Sequence, residues 1–244
     1  MSLAGRGVVL TRPRELAVPF ARLLERRGAR AIVFPAIEIQ PLAPPGTLAH
    51  LRDYDLAVFV SPSAVRIALA AQPPWPPLLA AAVGAGTRRE LERAGAKAVI
   101  APAMGADSEA LLALPEVQNL RGKRVLIVRG EGGRELLAES LAARGAVVEH
   151  AVCYRRAKPA ADAAPLVAAW RRGEVHALVV PSAQALDNFS AMGGAELIAA
   201  LPVFVPHERI AQHARAHGAR EVAVAAGGDD QMLERLVAYF DARD

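Results

Sequence analysis

The sequence predicts an α/β protein built as two similar domains, each a parallel sheet flanked by helices. Three observations predict it. Short Val-rich runs alternate with stretches of helical periodicity along the whole chain. Three strand–loop–helix units recur in the same order in the two halves. The 244 residues are 53% apolar but only 5% aromatic, which is enough for one large domain or two smaller ones with cores of Ala, Val, Leu and Ile.

The elements follow in order. Residues 8–10 are a buried-type strand. Pro13 sits where a helix can begin, because its missing N–H costs nothing in a first turn. Leu16, Phe20, Leu23 and Leu24 then recur at helical spacing as far as Gly28, which suits the left-handed position past a helix end. Residues 31–34 are the next strand. The stretch 35–45 holds Pro35, Pro41, Pro44 and Pro45 and reads as extended linker. Residues 55–60 form a strand that passes through Ser-Pro-Ser into a helix reaching Ala70. A strand at 81–83, a helix at 87–94 stopped by Gly95, a strand at 98–100 and a helix at 107–114 come next. Residues 125–128 are a strand, 134–144 a helix closed by Gly145, and 147–154 an extended segment followed by a basic, proline-bearing stretch at 155–159. The remainder alternates: helix near 166–171, strand 177–180, helix near 185–192, strand 203–205, helix 210–217, strand 222–225 and a last helix near 231–240.

The internal repeat ties these elements together. Arg12 and Arg129 each follow a strand, and Gly28-Ala29 and Gly145-Ala146 each follow the next helix, both pairs 117 residues apart. Ser61 and Ser182 end similar strand-to-Ser runs 121 residues apart, and Gly95-Ala96 recurs 123 residues later as Gly218-Ala219. Two related α/β domains imply a cleft between them, with binding loops beyond the carboxyl ends of the strands.

Composition excludes several functions. The 29 basic and 25 acidic side chains are interspersed, without the dense Lys/Arg stripe of a nucleic-acid groove, so no nucleic-acid partner is expected. A small polyanion needs only a few Arg side chains and free amides. Cys153 is the single cysteine, which excludes an intrachain disulfide and a zinc ribbon. The opening segment has too short an apolar run for a secretion signal, and no stretch reaches the roughly 18 apolar residues of a membrane span. A cytoplasmic, membrane-free protein is the expectation.

Six motifs carry a resemblance. They are Thr11-Arg12-Pro13, Val58-Phe59-Val60-Ser61-Pro62-Ser63-Ala64-Val65, Val83-Gly84-Ala85-Gly86-Thr87, Arg129-Gly130 followed by Gly133-Arg134, Val152-Cys153-Tyr154-Arg155, and Pro181-Ser182-Ala183. Each alone is a generic strand-to-helix turn. Their joint order and spacing, from about residue 6 onward, resemble the uroporphyrinogen-III synthase family. The resemblance implies two flavodoxin-like parallel-sheet domains joined by a two-stranded β linker. One domain would be 1–38 plus 157–244, the other 41–152, with crossing strands at 36–41 and 151–157. It also implies a cofactor-free lyase acting on hydroxymethylbilane, a linear tetrapyrrole with eight carboxylates. Water is lost, the last pyrrole (ring D) is inverted through a spiro intermediate, and the ring closes as uroporphyrinogen III in tetrapyrrole biosynthesis. A monomer, receiving its substrate by transient handover from hydroxymethylbilane synthase, fits that reading.

The residues permit this chemistry. Thr11, Ser61, Ser63, Thr87 and Ser182 stand at helix starts, where a hydroxyl either caps the helix or joins free N–H groups in holding a carboxylate. Arg12 and Arg129, with Pro13 and Gly130 beside them, occupy equivalent loops. Each arginine either grips a carboxylate through two parallel hydrogen bonds or forms a local ion pair. Tyr154 is the candidate catalytic residue. It ends an extended segment at the domain junction and matches the family's Val-x-Tyr-Arg position, and a phenol can protonate or hold a leaving hydroxyl. The packed-aromatic alternative stays open. His207 and Arg209 follow the strand at 203–205, where many relatives carry a small residue and Thr; His207 binds a carboxylate only when protonated.

No metal site is expected. His213 and His217 are four apart on a helix, but no carboxylate partner is evident from the sequence. Cys153 reads as packed and inert. Gly84-Ala85-Gly86 lacks the rest of a dinucleotide fingerprint. Gly227-Gly228-Asp229-Asp230 reads as a flexible helix start with acids favouring the dipole. Two rivals remain: a non-catalytic small-molecule-binding or regulatory module, and a nucleotide enzyme that would need a phosphate loop the chain does not display.

Overall fold

The computed structural model describes residues 3–43, 45–70, 76, 78–103, 105 and 107–243, so Pro44 of the stretch 35–45 lies outside the described residues. The chain folds as two compact units. One is Met1–Glu38 with Ala157–Asp244; the other is Ile39–Arg156.

In chain order, β1 (Gly7–Leu10), α1 (Arg14–Arg26) and β2 (Arg30–Val33) begin the first unit. The second unit contains β3 (Glu38–Pro41), α2 (Gly46–Ala49), β4 (Leu56–Phe59), α3 (Pro62–Ala70), β5 (Leu79–Ala82), α4 (Ala85–Arg93), β6 (Val99–Ile100), α5 (Ser108–Leu112), β7 (Arg124–Gly130), α6 (Leu136–Ala143) and β8 (Val147–Ala157). The chain returns to the first unit through α7 (Ala164–Arg171), β9 (Ala177–Val179), α8 (Ala183–Phe189), α9 (Ala195–Ala200), β10 (Val203–Val205), α10 (Glu208–Ala216), β11 (Val222–Val224) and α11 (Asp229–Asp241).

The first sheet runs β11-β10-β9-β1-β2, with its paired strands parallel. Counted along its own unit this is the flavodoxin order, 2-1-3-4-5, and the order reverses between β1 and β9. The second sheet runs β3-β8-β7-β4-β5-β6, with parallel pairing from β8 through β6. Taking β7 as its first strand and β8 as its second, the same order appears in circularly permuted form. Its reversal lies between β7 and β4.

Strand alternation explains the layers. In β4, Ala57 and Phe59 face one side with Leu126 and Val128 of β7, and Ala64, Val65 and Ala68 of α3 cover them. Leu56 and Val58 face the other side with Val125 and Ile127, under Leu111 and Leu112 of α5 and Leu137 and Leu141 of α6. Both faces are therefore buried, as a parallel sheet requires. In the first unit, α1 and α11 cover one face of the sheet, packing Phe20, Leu24, Leu233 and Leu236 against Val8, Leu10, Val179 and Phe204.

Several local readings are corrected. The apolar stripe of α1 is Ala17, Phe20, Ala21 and Leu24, while Leu16 is 36% exposed. The small alanines let the helix lie close to the sheet. The helix expected near 185–192 ends at Phe189; a wide turn, Ser190–Gly194, follows, with Gly193 at φ +90°, and α9 restarts beyond it. Only glycine takes that backbone angle without strain. The stretch read as extended linker at 35–45 holds β3 as its extended segment, while β8, read as extended over 147–154, runs on through Arg155 and Arg156 to Ala157.

Candidate functional site

The order reversals locate the site in each unit. At β4/β7, α3 leaves β4 toward one face of the sheet and α6 leaves β7 toward the other. The strand ends are thereby left with a crevice. Ser61 follows β4, Gly130 ends β7, and Tyr154 lies next to Gly130 on β8.

A bulge aims the tyrosine. Arg129 is opposite Val152, yet Gly130 is opposite Tyr154, so Cys153 is an extra residue in β8. Regular alternation would put Cys153 and Tyr154 on opposite faces. The bulge turns both into the cluster beneath α3. Tyr154 is 2% exposed. Its hydroxyl lies 3.0 Å from Ser61 Oγ, and that oxygen also accepts the Ala64 N–H at 3.1 Å, capping α3. Cys153 Sγ lies 3.5 Å from the Arg129 carbonyl oxygen, and burial pushes its thiol pKa up to about 11.

Arg129 is nearly buried. Its Nη1 donates to Glu135 Oε1 at 2.8 Å, and its Nη2 donates to the Gly132 carbonyl oxygen. The glycines of the 131–134 loop make this possible: Gly132 and Gly133 have φ +71° and +100°, and a Cβ on Gly133 would lie 2.9 Å from Arg129 Nη2. The loop closes over a cavity of about 150 Å³ whose walls include Arg129, Gly130, Arg134, Tyr154 and Arg156. Arg134 makes two bonds to Glu109, at 2.5 and 2.8 Å, and this partner holds the Glu109 carboxyl below its ordinary range. Ser63 and Thr87, also singled out from the sequence, are buried within α3 and α4.

In the first unit the reversal lies at β1/β9. Thr11, fully buried, gives both its N–H and its hydroxyl to the Val179 carbonyl oxygen, at 3.2 and 3.0 Å, which ties the two strand ends together. Pro13 caps α1 without a side-chain bond. Arg12 donates to Asp229 Oδ1 at 2.7 Å and lies over the Phe20 ring, 4.8 Å from its centroid. Ser182 caps α8 by accepting the Ala185 N–H at 3.2 Å. His207 and Arg209 are exposed at the start of α10, and His207 makes no capping bond there.

Ser61, Arg129, Gly130 and Tyr154 therefore share one reversal, and Thr11, Arg12, Pro13 and Ser182 share the other. Arg156 and the Gly132-Gly133 loop lie outside the set drawn from the sequence. The signals that point to them are the unusual Glu-Gly-Gly-Arg-Glu run and the paired arginines after Tyr154. One expectation is overturned: the His213–His217 pair does have a carboxylate partner. Asp187 of α8 lies 2.6 Å from His213 Nε2 and 3.1 Å from His217 Nε2.

Fold and site together define a two-unit α/β protein of flavodoxin type, with hydroxyl and guanidinium donors where the strand order reverses. The family model described as uroporphyrinogen-III synthase HemD matches residues 18–233. The chain is 33% identical to the uroporphyrinogen-III synthase of Escherichia coli (strain K12) over 94% of this chain and 99% of that one. It is 34% identical to the enzyme of Salmonella typhimurium over the same shares. In fold it is similar to a uroporphyrinogen-III synthetase from Helicobacter pylori 26695, with TM-score 0.63 and 16% identity over 96% of this chain and 99% of that one. It is likewise similar to a mutant uroporphyrinogen III synthase from the extremely thermophilic bacterium Thermus thermophilus, with TM-score 0.56 and 20% identity over 98% and 100%. The chain belongs to the uroporphyrinogen-III synthase family.

Proposed function

We propose that the chain cyclises hydroxymethylbilane to uroporphyrinogen III, releasing one water and inverting ring D, with Tyr154 as the residue at the reacting hydroxyl. Family membership supports the reaction. The observation that carries the site is the 3.0 Å approach of the Tyr154 hydroxyl to Ser61 Oγ, with Tyr154 in the wall of a cavity that Arg129 and Arg156 also line.

The geometry suggests the steps. Ser61 Oγ already accepts the Ala64 N–H, which fixes its position and leaves its own O–H free to turn toward the phenol. Tyr154 gives its proton to the departing hydroxyl, water leaves, and Ser61 donates to the phenolate oxygen. The positive charge left on the bilane is delocalised over the pyrrole that carried the hydroxyl. The substituted carbon of ring D attacks it; fragmentation and reclosure follow, and a pyrrole proton lost at closure restores the phenol. The chain supplies no oxidant or reductant to this sequence, and none is needed.

Selectivity rests on grip. The same bilane closes unaided to the uninverted type I ring, so the protein must hold a folded substrate more than it must supply reactive groups. A cavity of about 150 Å³ fits one acetate or propionate arm rather than a tetrapyrrole, since whole-ligand sites run to roughly 300 Å³ or more. Arg129, immobilised by Glu135 and Gly132, presents a preset charge to such an arm, with Arg156 as its neighbour in the wall. Within the first unit, Arg12, Ser182, His207 and Arg209 are separate candidate donors for carboxylates, and Thr11 ties the ends of β1 and β9 together. Ser63 and Thr87 are buried in α3 and α4 and pack those helices.

In this reading the chain acts in the cytoplasm as a monomer and takes its unstable substrate from hydroxymethylbilane synthase by transient handover. Among the described residues no helix is long and apolar enough to cross a membrane. The test is a coupled assay in which freshly generated hydroxymethylbilane is mixed with the chain. Consumption well above the spontaneous rate supports the reaction. Consumption at the spontaneous rate leaves a binding module instead.

A further inference from the structure

We propose that Asp187, His213 and His217 form a binding site for one divalent transition-metal ion of the zinc class, which pins α10 to α8. The ligand atoms of the three side chains all lie within 4.8 Å of one another. The two imidazoles come from successive turns of one helix, and their ring centroids are 4.4 Å apart. This is the one-face, four-residue spacing by which a helix presents two nitrogens to one ion. The carboxylate comes from 26 residues earlier in the chain, on a different helix, so fold rather than local sequence assembles the set.

Proton positions give the second argument. His217 Nδ1 lies 3.0 Å from the His213 carbonyl oxygen. A carbonyl can only accept, so Nδ1 carries the proton. In the neutral ring that leaves Nε2 with a bare lone pair, 3.1 Å from a carboxylate oxygen that also has only lone pairs. Two acceptors face each other unless a cation joins them. Anchoring the far ring nitrogen on a backbone carbonyl is how metal-binding histidines are commonly oriented. His213 Nε2 points at the same oxygen, Oδ1, from 2.6 Å. Two nitrogens and an oxygen converging on one point, with water completing the sphere, suit zinc, cobalt or nickel better than magnesium or calcium, which want oxygen alone.

The role follows from position. His213 lies in the last turn of α10 and His217 is its C-cap, while Asp187 lies in the last turn of α8, ahead of the kink at Gly193. A metal there would stiffen a helix pair whose other ends carry Ser182 and His207. The proposal stands independently of the reaction assigned to the chain.

The experiment uses the full, untagged chain, stripped with a chelator and titrated with Zn²⁺ against a chromophoric competitor, with thermal unfolding measured in parallel. One equivalent of Zn²⁺ is expected to bind and to raise the unfolding temperature. H213A, H217A and D187A should each weaken binding by about tenfold or more and abolish the thermal shift, while D187N, which keeps an oxygen ligand, should retain part of it. H50A serves as the control and should bind like the parent. Absence of stoichiometric binding, or binding unchanged by H217A and D187A, overturns the proposal. A parent chain stabilised equally by acid and by Zn²⁺, with no bound equivalent, also overturns it and leaves a protonated His–Asp pair in its place.

Discussion

The ring of Tyr154 fills the space that a side chain on Gly130 would occupy. A Cβ built there would lie 2.5 Å from two carbons of the ring. The glycine is needed for clearance, since its backbone angles are open to any residue. Gly130 and Tyr154 are also the pair that resumes the β7–β8 register after the bulge, so strand geometry and the tyrosine's aim depend on each other.

Gly130→Ala should therefore destabilise the fold by about 1–3 kcal/mol through overpacking, and it should displace the phenol. The background Tyr154→Ala removes the obstruction, so the two changes together should cost clearly less than their sum. A double-mutant cycle by denaturant unfolding checks this. Additive costs would mean that the two residues do not compete for the space.

Tyr154→Phe keeps the ring and deletes the hydroxyl. Turnover should fall by roughly tenfold to a hundredfold, the lower part of the range for acid catalysis, because the departing hydroxyl leaves a stabilised cation. KM should hardly change. Ser61→Ala should cost about 1 kcal/mol through the lost cap and a smaller part of the turnover. Steady-state kinetics on both variants separates them. Full activity in Tyr154→Phe would reduce the tyrosine to a packing residue.

Arg129→Ala removes a charged donor set that is already immobilised. The expected result is a rise in KM by about tenfold or more with kcat little altered, since uniform binding of one substrate arm is lost. Glu135→Gln should affect stability by less than about 1 kcal/mol, because that carboxylate is half exposed and its pair with Arg129 is open to solvent on one side.

Cys153 should resist thiol reagents at neutral pH until the chain unfolds, because burial pushes its thiol from an ordinary 9.0 to about 11. The same shift has a stability consequence. The folded state keeps the proton over a range where the unfolded chain has lost it. The contribution is therefore complete below pH 9 and disappears as pH rises from 9 to about 11. Unfolding free energy measured across that window should fall more steeply for the parent than for Cys153→Ala.

Much of the architecture is legible in the sequence because parallel strands buried on both faces must be short apolar runs, and glycines such as Gly28, Gly95, Gly145 and Gly218 do end their helices at positive φ. What stays hidden depends on contacts distant in sequence. The bulge at Cys153 leaves no local mark, since it exists only relative to β7. Asp187 stands 26 residues from the histidine it meets. The partner of Arg12 is Asp229, 217 residues away, although the local sequence around that acid suggests only helix-dipole compensation. The site is partly legible for a different reason. The repeat aligns Arg12 with Arg129 and Ser61 with Ser182; Arg12, Ser61 and Ser182 follow strands at the two order reversals, and Arg129 is the last residue but one of β7.

The most direct test of the central claim is the ring isomer formed. Hydroxymethylbilane generated in place should be converted by the chain to uroporphyrinogen III, with the type I ring reduced to a trace when the two are separated. A product containing type I alone, at the amount formed without protein, would contradict the claim that these donors select the inverted closure.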